Sequence, residues 1–103
     1  MRLPTFLFAA SLSLLPLGSA HAIDRLANGF PELPKDARKV AERSVTCNYF
    51  SGEFNGDKGE RDKEVAVQLR KLQCAHVERD LRSMRAKYQK KPKILTALEE
   101  ADQ

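Results

Sequence analysis

Cys47, Cys74 and His76 are the residues of this 103-residue chain whose types and spacing most readily suggest chemistry. Cys74-Ala75-His76 sets a thiol and an imidazole two positions apart. Cys47 could join them in a soft-ligand set, with the Met84 thioether as a further donor for copper. A closed zinc site takes four ligands, however, and His76 is the only histidine after residue 22. An even cysteine pair in an oxidising compartment forms a disulfide by default, so a Cys47–Cys74 bridge is the favoured expectation, with no metal and no cofactor. It would close a loop of about 28 residues, on the order of 3.6 kcal/mol of stabilisation in the chain-entropy model.

Other catalytic constellations are missing from the sequence. No Gly-x-Ser-x-Gly turn accompanies His76, and Gly52, Gly56 and Gly59 lack the spacing and the Gly-Lys-Ser/Thr ending of a phosphate-binding loop. Glu53 with Asp57 or Glu60 could in principle form a carboxylate pair. Acids in a glycine-rich surface segment are more often solvated or helix-capping, and the chain is expected not to be an enzyme.

The compartment follows from the N-terminus. Met1-Arg2 supplies a positive start, residues 6–15 an apolar stretch, and Ala20-His21-Ala22 a small-x-small cleavage pattern, so residues 1–22 read as a secretion signal cut before Ile23. An uncleaved anchor is the alternative, but a spanning helix wants roughly 20 apolar residues. No lipobox cysteine follows, and no integral membrane segment is expected after cleavage. The protein is therefore expected in the periplasm, or secreted. What remains is one small domain, a size at which a disulfide commonly supplements a limited core.

Helical elements must position these residues. Over residues 23–33, Asn28-Gly29, Phe30-Pro31 and Leu33-Pro34 predict an extended lead-in. A first helix runs from Pro34 to about Phe50, with Ala37, Val40, Ala41, Ser44 and Cys47 at three- and four-residue steps. Residues 51–59 carry three glycines and form a loop. A second helical stretch starts near Glu60, where Asp57, Glu60, Asp62 and Glu64 suit the positive end of the helix dipole. Its apolar positions form two stripes, Val65, Leu69, Leu72 and His76, then Cys74, Val77, Leu81, Met84 and Tyr88, displaced by roughly 140°. One long helix touching two partners would explain this; a bend near Gln73–His76 is the preferred account. Lys91-Pro92 ends the segment. A last helix from Pro92 turns Ile94, Leu95 and Leu98 inward, and its acidic final turn should fray. The predicted fold is all-α, a helical hairpin or three- to four-helix assembly over residues 34–103, stapled by one disulfide.

Charge and aromatic residues mark two candidate surfaces. The chain carries a formal charge of +4, and residues 79–93 hold Arg79, Arg82, Arg85, Lys87, Lys90, Lys91 and Lys93 against Asp80 alone. Such a segment could meet an anionic partner, although its cations wind around the helix without forming one stripe, and a solvated face is the preferred account. Nucleic acid is disfavoured by export and by the lack of interleaved stacking aromatics. Tyr49, Phe50 and Phe54 beside Gly52-Glu53 form an aromatic corner next to Cys47. It suits either a partner-binding hot spot or a cap on the core.

Cys47-Asn48-Tyr49-Phe50-Ser51-Gly52-Glu53, Arg61, and Cys74 with Leu81 and Tyr88 downstream resemble a group of small, uncharacterised secreted bacterial proteins with a Cys, an aromatic-x-Gly-Glu corner and a second Cys one helix later. The resemblance covers about Val40 to Leu98 and implies a disulfide-linked helical periplasmic fold without an activity. A fainter similarity is to cysteine-rich helical lysozyme-inhibitor-like proteins, from which this chain departs in having two cysteines and in its acidic residues. The expected function is binding another envelope protein, as an inhibitor, immunity factor or accessory subunit, through Tyr49, Phe50, Glu53 and Phe54. The alternative is anion or metal binding through residues 79–93 or through Cys47, Cys74 and His76.

Overall fold

A computed structural model describes residues 24–103; the expected signal segment and its cleavage point between Ala22 and Ile23 lie outside the described residues. Among the described residues a helical segment at 24–28 is followed in order by α1 (Lys35–Ser51), α2 (Glu60–Lys71), a short 3-10 turn (Cys74–His76), α3 (Val77–Lys87) and α4 (Pro92–Ala101). There is no strand among the described residues, and no helix among them is long and apolar enough to cross a membrane.

α1 is the axis on which the other elements pack. Its apolar stripe, Ala37, Val40, Ala41, Val45 and Cys47, is buried against Val77 and Leu81 of α3 and Ala97, Leu98 and Ala101 of α4. Leu81 and Leu98 are fully enclosed, each contributing about 1.5–3 kcal/mol by removing apolar surface from water. Small residues on α1 and α4 let the two helices approach closely. There Ser44, itself buried, donates from Oγ to the Ala101 carbonyl at 2.7 Å. That bond satisfies a carbonyl with no partner inside its own helix.

The expected bend between the two apolar stripes is real, and a left-handed residue makes it. α2 stops at Leu72, Gln73 takes φ 54° and ψ 47°, and the 3-10 turn leads directly into α3. Gln73 accepts the His76 amide at 2.9 Å, which closes the corner without proline or glycine. Val77 and Leu81 of the second stripe are buried, and Met84 and Tyr88 pack against the core. Val65 of the first stripe is fully buried, whereas His76, expected on the same face, is exposed because the turn rotates it outward.

Two expectations are corrected. The segment expected to be extended over 23–33 is helical at 24–28 and contributes core: Phe30 is fully buried and Leu33 nearly so. Gly29, at φ +70°, turns the chain back over α1; there the Phe30 amide donates to Glu42 Oε2 at 3.1 Å and the Arg25 guanidinium lies 4.1 Å from the Phe30 ring centroid. Breaker residues thus build a compact turn, because Phe30 gains more from burial than the local chain loses in freedom. The last turn of α4, expected to fray, is tied down. Ser44 holds the Ala101 carbonyl, Asn48 Nδ2 donates to the Gln103 carbonyl at 3.0 Å, and Arg25 pairs with Glu100 at 2.6 Å. Cross-helix partners outweigh the unfavourable dipole of the terminal acids.

Candidate functional site

Cys47 near the end of α1 and Cys74 at the head of the 3-10 turn form the disulfide, with Cα atoms 5.7 Å apart. The bridge joins α1 to the corner between α2 and α3, so it ties the break between those two helices to the central helix. Both sulfurs are consumed and no free cysteine remains among the described residues. The Cys47, Cys74 and His76 set therefore has no thiolate to offer a metal. Among the described residues there is no group of three or more His, Cys, Asp or Glu side chains that could hold one.

The aromatic corner begins one residue beyond Cys47. Tyr49 and Phe50 meet edge to face, centroids 5.3 Å apart at 71°. Phe50 is half-buried, while Tyr49 and Phe54 each leave 45% of their surface open. Glu53 does not stand free: its Oε1 accepts from Arg61 at 3.0 Å, and its amide donates to the Phe50 carbonyl at 3.0 Å. The rings thus differ in exposure, Phe50 being half-buried and Tyr49 and Phe54 facing outward.

Asp62 holds the loop that carries Phe54 and Glu53. From the first turn of α2 its carboxylate accepts amides of Asn55 at 2.8 Å and of Gly56 and Lys58 at 3.0 Å each. The Asn55 amide leads the effects that keep the Asp62 carboxyl below its ordinary range, against the opposing effect of burial. Gly56 and Lys58 sit at positive φ, which turns successive amides toward one acceptor. Asp57 receives the Gly59 amide at 2.9 Å, and Glu60 pairs with Lys63 at 3.5 Å. Glu53, Asp57 and Glu60, the candidate carboxylates, therefore each serve a separate partner. In sequence Asp62 reads only as a favourable charge at the start of α2; the loop amides that it collects are set by the fold of residues 55–58.

The basic residues 79–93 separate into two sets. Arg79 pairs with Asp80 at 3.1 Å, Arg85 with Asp102 at 3.5 Å, and Lys87 with Asp36. Asp80 also takes an ion pair from Arg43 of α1, which explains the one acid in the run: it locks α3 to α1. Arg82, Lys90, Lys91 and Lys93 are exposed and have no ion pair among the described residues.

A shallow, open cleft of about 330 Å³ lies between residues 24–28 and α1, lined by Arg25, Asn28, Glu42 and Thr46 among others. Its charged groups are already engaged, Arg25 with Glu32 and Glu100, and Glu42 with the Phe30 amide. The aromatic corner and the unpaired lysines are thus the surfaces with unused recognition capacity. Comparison with protein-family models, curated proteins and solved structures finds no match to this chain.

Proposed function

We propose that this is an exported, non-enzymatic protein that works in the periplasm by binding another envelope protein, as an inhibitor, immunity factor or accessory subunit. Tyr49, Phe50, Glu53 and Phe54 form the binding corner. The observation that carries the reading is the pair of outward rings, Tyr49 and Phe54, each 45% exposed on a frame fixed by the disulfide and by the Asp62 loop bonds. Large aromatic side chains dominate the energetics of protein interfaces, and a preorganised frame lowers the entropy lost on docking. The N-terminal signal pattern and the disulfide support an exported setting. The test is affinity capture from periplasmic extract with the parent and with Tyr49→Ser/Phe54→Ser. Loss of a hot-spot pair is expected to weaken retention of the specific partner by at least about thirtyfold. Equal recovery of every captured protein by both forms would reject the corner as the binding site.

A further inference from the structure

Tyr88 and Lys87, at the end of α3, both bond to Asp36 in the first turn of α1. These contacts bring the start of α1, the end of α3 and the four-residue connection into α4 (88–91) to one pole of the molecule. Lys35, Lys90, Lys91 and Lys93 gather there, all exposed and none with an ion pair among the described residues. Asp36, next to Lys35 in the chain, is already engaged by Lys87 and Tyr88, and Glu32 by Arg25. Arg79, in contrast, belongs to the other end of α3. The fold therefore replaces the linear basic run with a smaller pole that includes Lys35, a residue far away in sequence.

We propose that this pole docks the protein onto the anionic phospholipid headgroups of a bilayer. Its cations are all lysines, compact and hydrated point charges without the planar fork that arginine uses for stereospecific pairing. Protein interfaces are depleted in lysine and carry an apolar or aromatic centre. Here the large exposed apolar residues, Leu26, Tyr49, Phe54 and Val67, all lie outside the pole, and the Tyr88 hydroxyl is committed to Asp36. An unpaired lysine cluster without a pocket or a stacking ring matches a flat, laterally mobile array of phosphates. The surface is distinct from the aromatic corner, so membrane docking and partner binding stand or fall separately.

The test is flotation of the full chain with vesicles of phosphatidylcholine alone and with phosphatidylglycerol added. Each lysine near an anionic surface is worth about fivefold in partitioning, so Lys35→Gln/Lys90→Gln/Lys91→Gln/Lys93→Gln should lose several hundredfold of the binding to anionic vesicles. Salt at about 0.5 M should remove the same component by screening. Binding to phosphatidylcholine vesicles reports any contribution from the apolar N-terminal residues, which all variants share. A charge-matched control, Lys63→Gln/Arg70→Gln/Lys71→Gln/Arg79→Gln, should bind like the parent. The pair variants Lys35→Gln/Lys93→Gln and Lys90→Gln/Lys91→Gln, each expected to lose about twenty-fivefold, keep the result readable if the quadruple variant does not fold. Parent-like binding by the pole variants, an equal loss in the control, or retention of the parent by soluble polyphosphate but not by vesicles would each overturn the proposal.

Discussion

The Tyr88 hydroxyl donates a 2.7 Å hydrogen bond to Asp36 Oδ1 across 52 positions of sequence, while Lys87 bonds the other carboxylate oxygen. Lys87 first and Tyr88 second lower the Asp36 carboxyl from 3.8 to about 2, and Asp36 in turn raises both Tyr88 and Lys87. Because the folded value lies below the unfolded one, this carboxylate stabilises the fold fully above its ordinary 3.8 and loses that effect as pH falls toward 2. Asp36→Asn is therefore expected to be less stable than the parent at neutral pH, and the difference should shrink on acidification through this window. Urea melts of both proteins across that range measure it; a pH-independent difference would show that the carboxylate charge has no part.

The disulfide spans 27 positions, from the α1 end to the corner before α3. Cys47→Ser/Cys74→Ser is expected to cost on the order of 3–4 kcal/mol by restoring the freedom of the unfolded loop. Denaturant titration of the oxidised parent against the variant gives the difference.

Phe30 is fully buried in a segment whose local sequence favours turns. Phe30→Ala is expected to lose about 3–5 kcal/mol, the range for a large-to-small change in a packed interior. Were the segment a mobile lead-in, the thermal midpoint would be unchanged.

Asp62 accepts three loop amides beneath the aromatic corner. In Asp62→Ala, hydrogen exchange at Asn55, Gly56 and Lys58 should accelerate while the α1 and α3 amides keep their protection. Uniform loss of protection would instead mean that the loop and the core unfold together.

Gln73 occupies the left-handed region at φ 54° and is exposed, with its amide bonded to the Arg70 carbonyl. A left-handed residue with a Cβ costs about 1–2 kcal/mol, offset in part by the greater chain entropy of glycine, so Gln73→Gly should stabilise by roughly 0.5–1 kcal/mol. A higher thermal midpoint with unchanged helical content is the expected readout.

The helical class, the start and end of α1, the opening of α2 at Glu60 and of α4 at Pro92 are legible in the sequence because three- and four-residue periodicity and local breakers act over a few residues. The Cys47–Cys74 pairing follows equally from having two cysteines. Which aromatic rings face outward was not legible: Tyr49 and Phe50 are neighbours, and only the packing of α1 turns one to solvent and half-buries the other. The fate of Phe30 also escapes local reading, since Asn28-Gly29 predicts a turn without saying that it folds back over Glu42.

The basic residues mark the division most clearly. Their number and place along the chain are properties of sequence alone, whereas their pairing depends on which acids other helices bring near them. Asp36 neutralises Lys87 and Asp102 takes Arg85, while Lys35 joins Lys90, Lys91 and Lys93 at one pole. Local propensity acts between neighbours and can be read along the chain; electrostatic and packing partners are chosen across tens of residues, and only the folded arrangement of α1, α3 and α4 decides them.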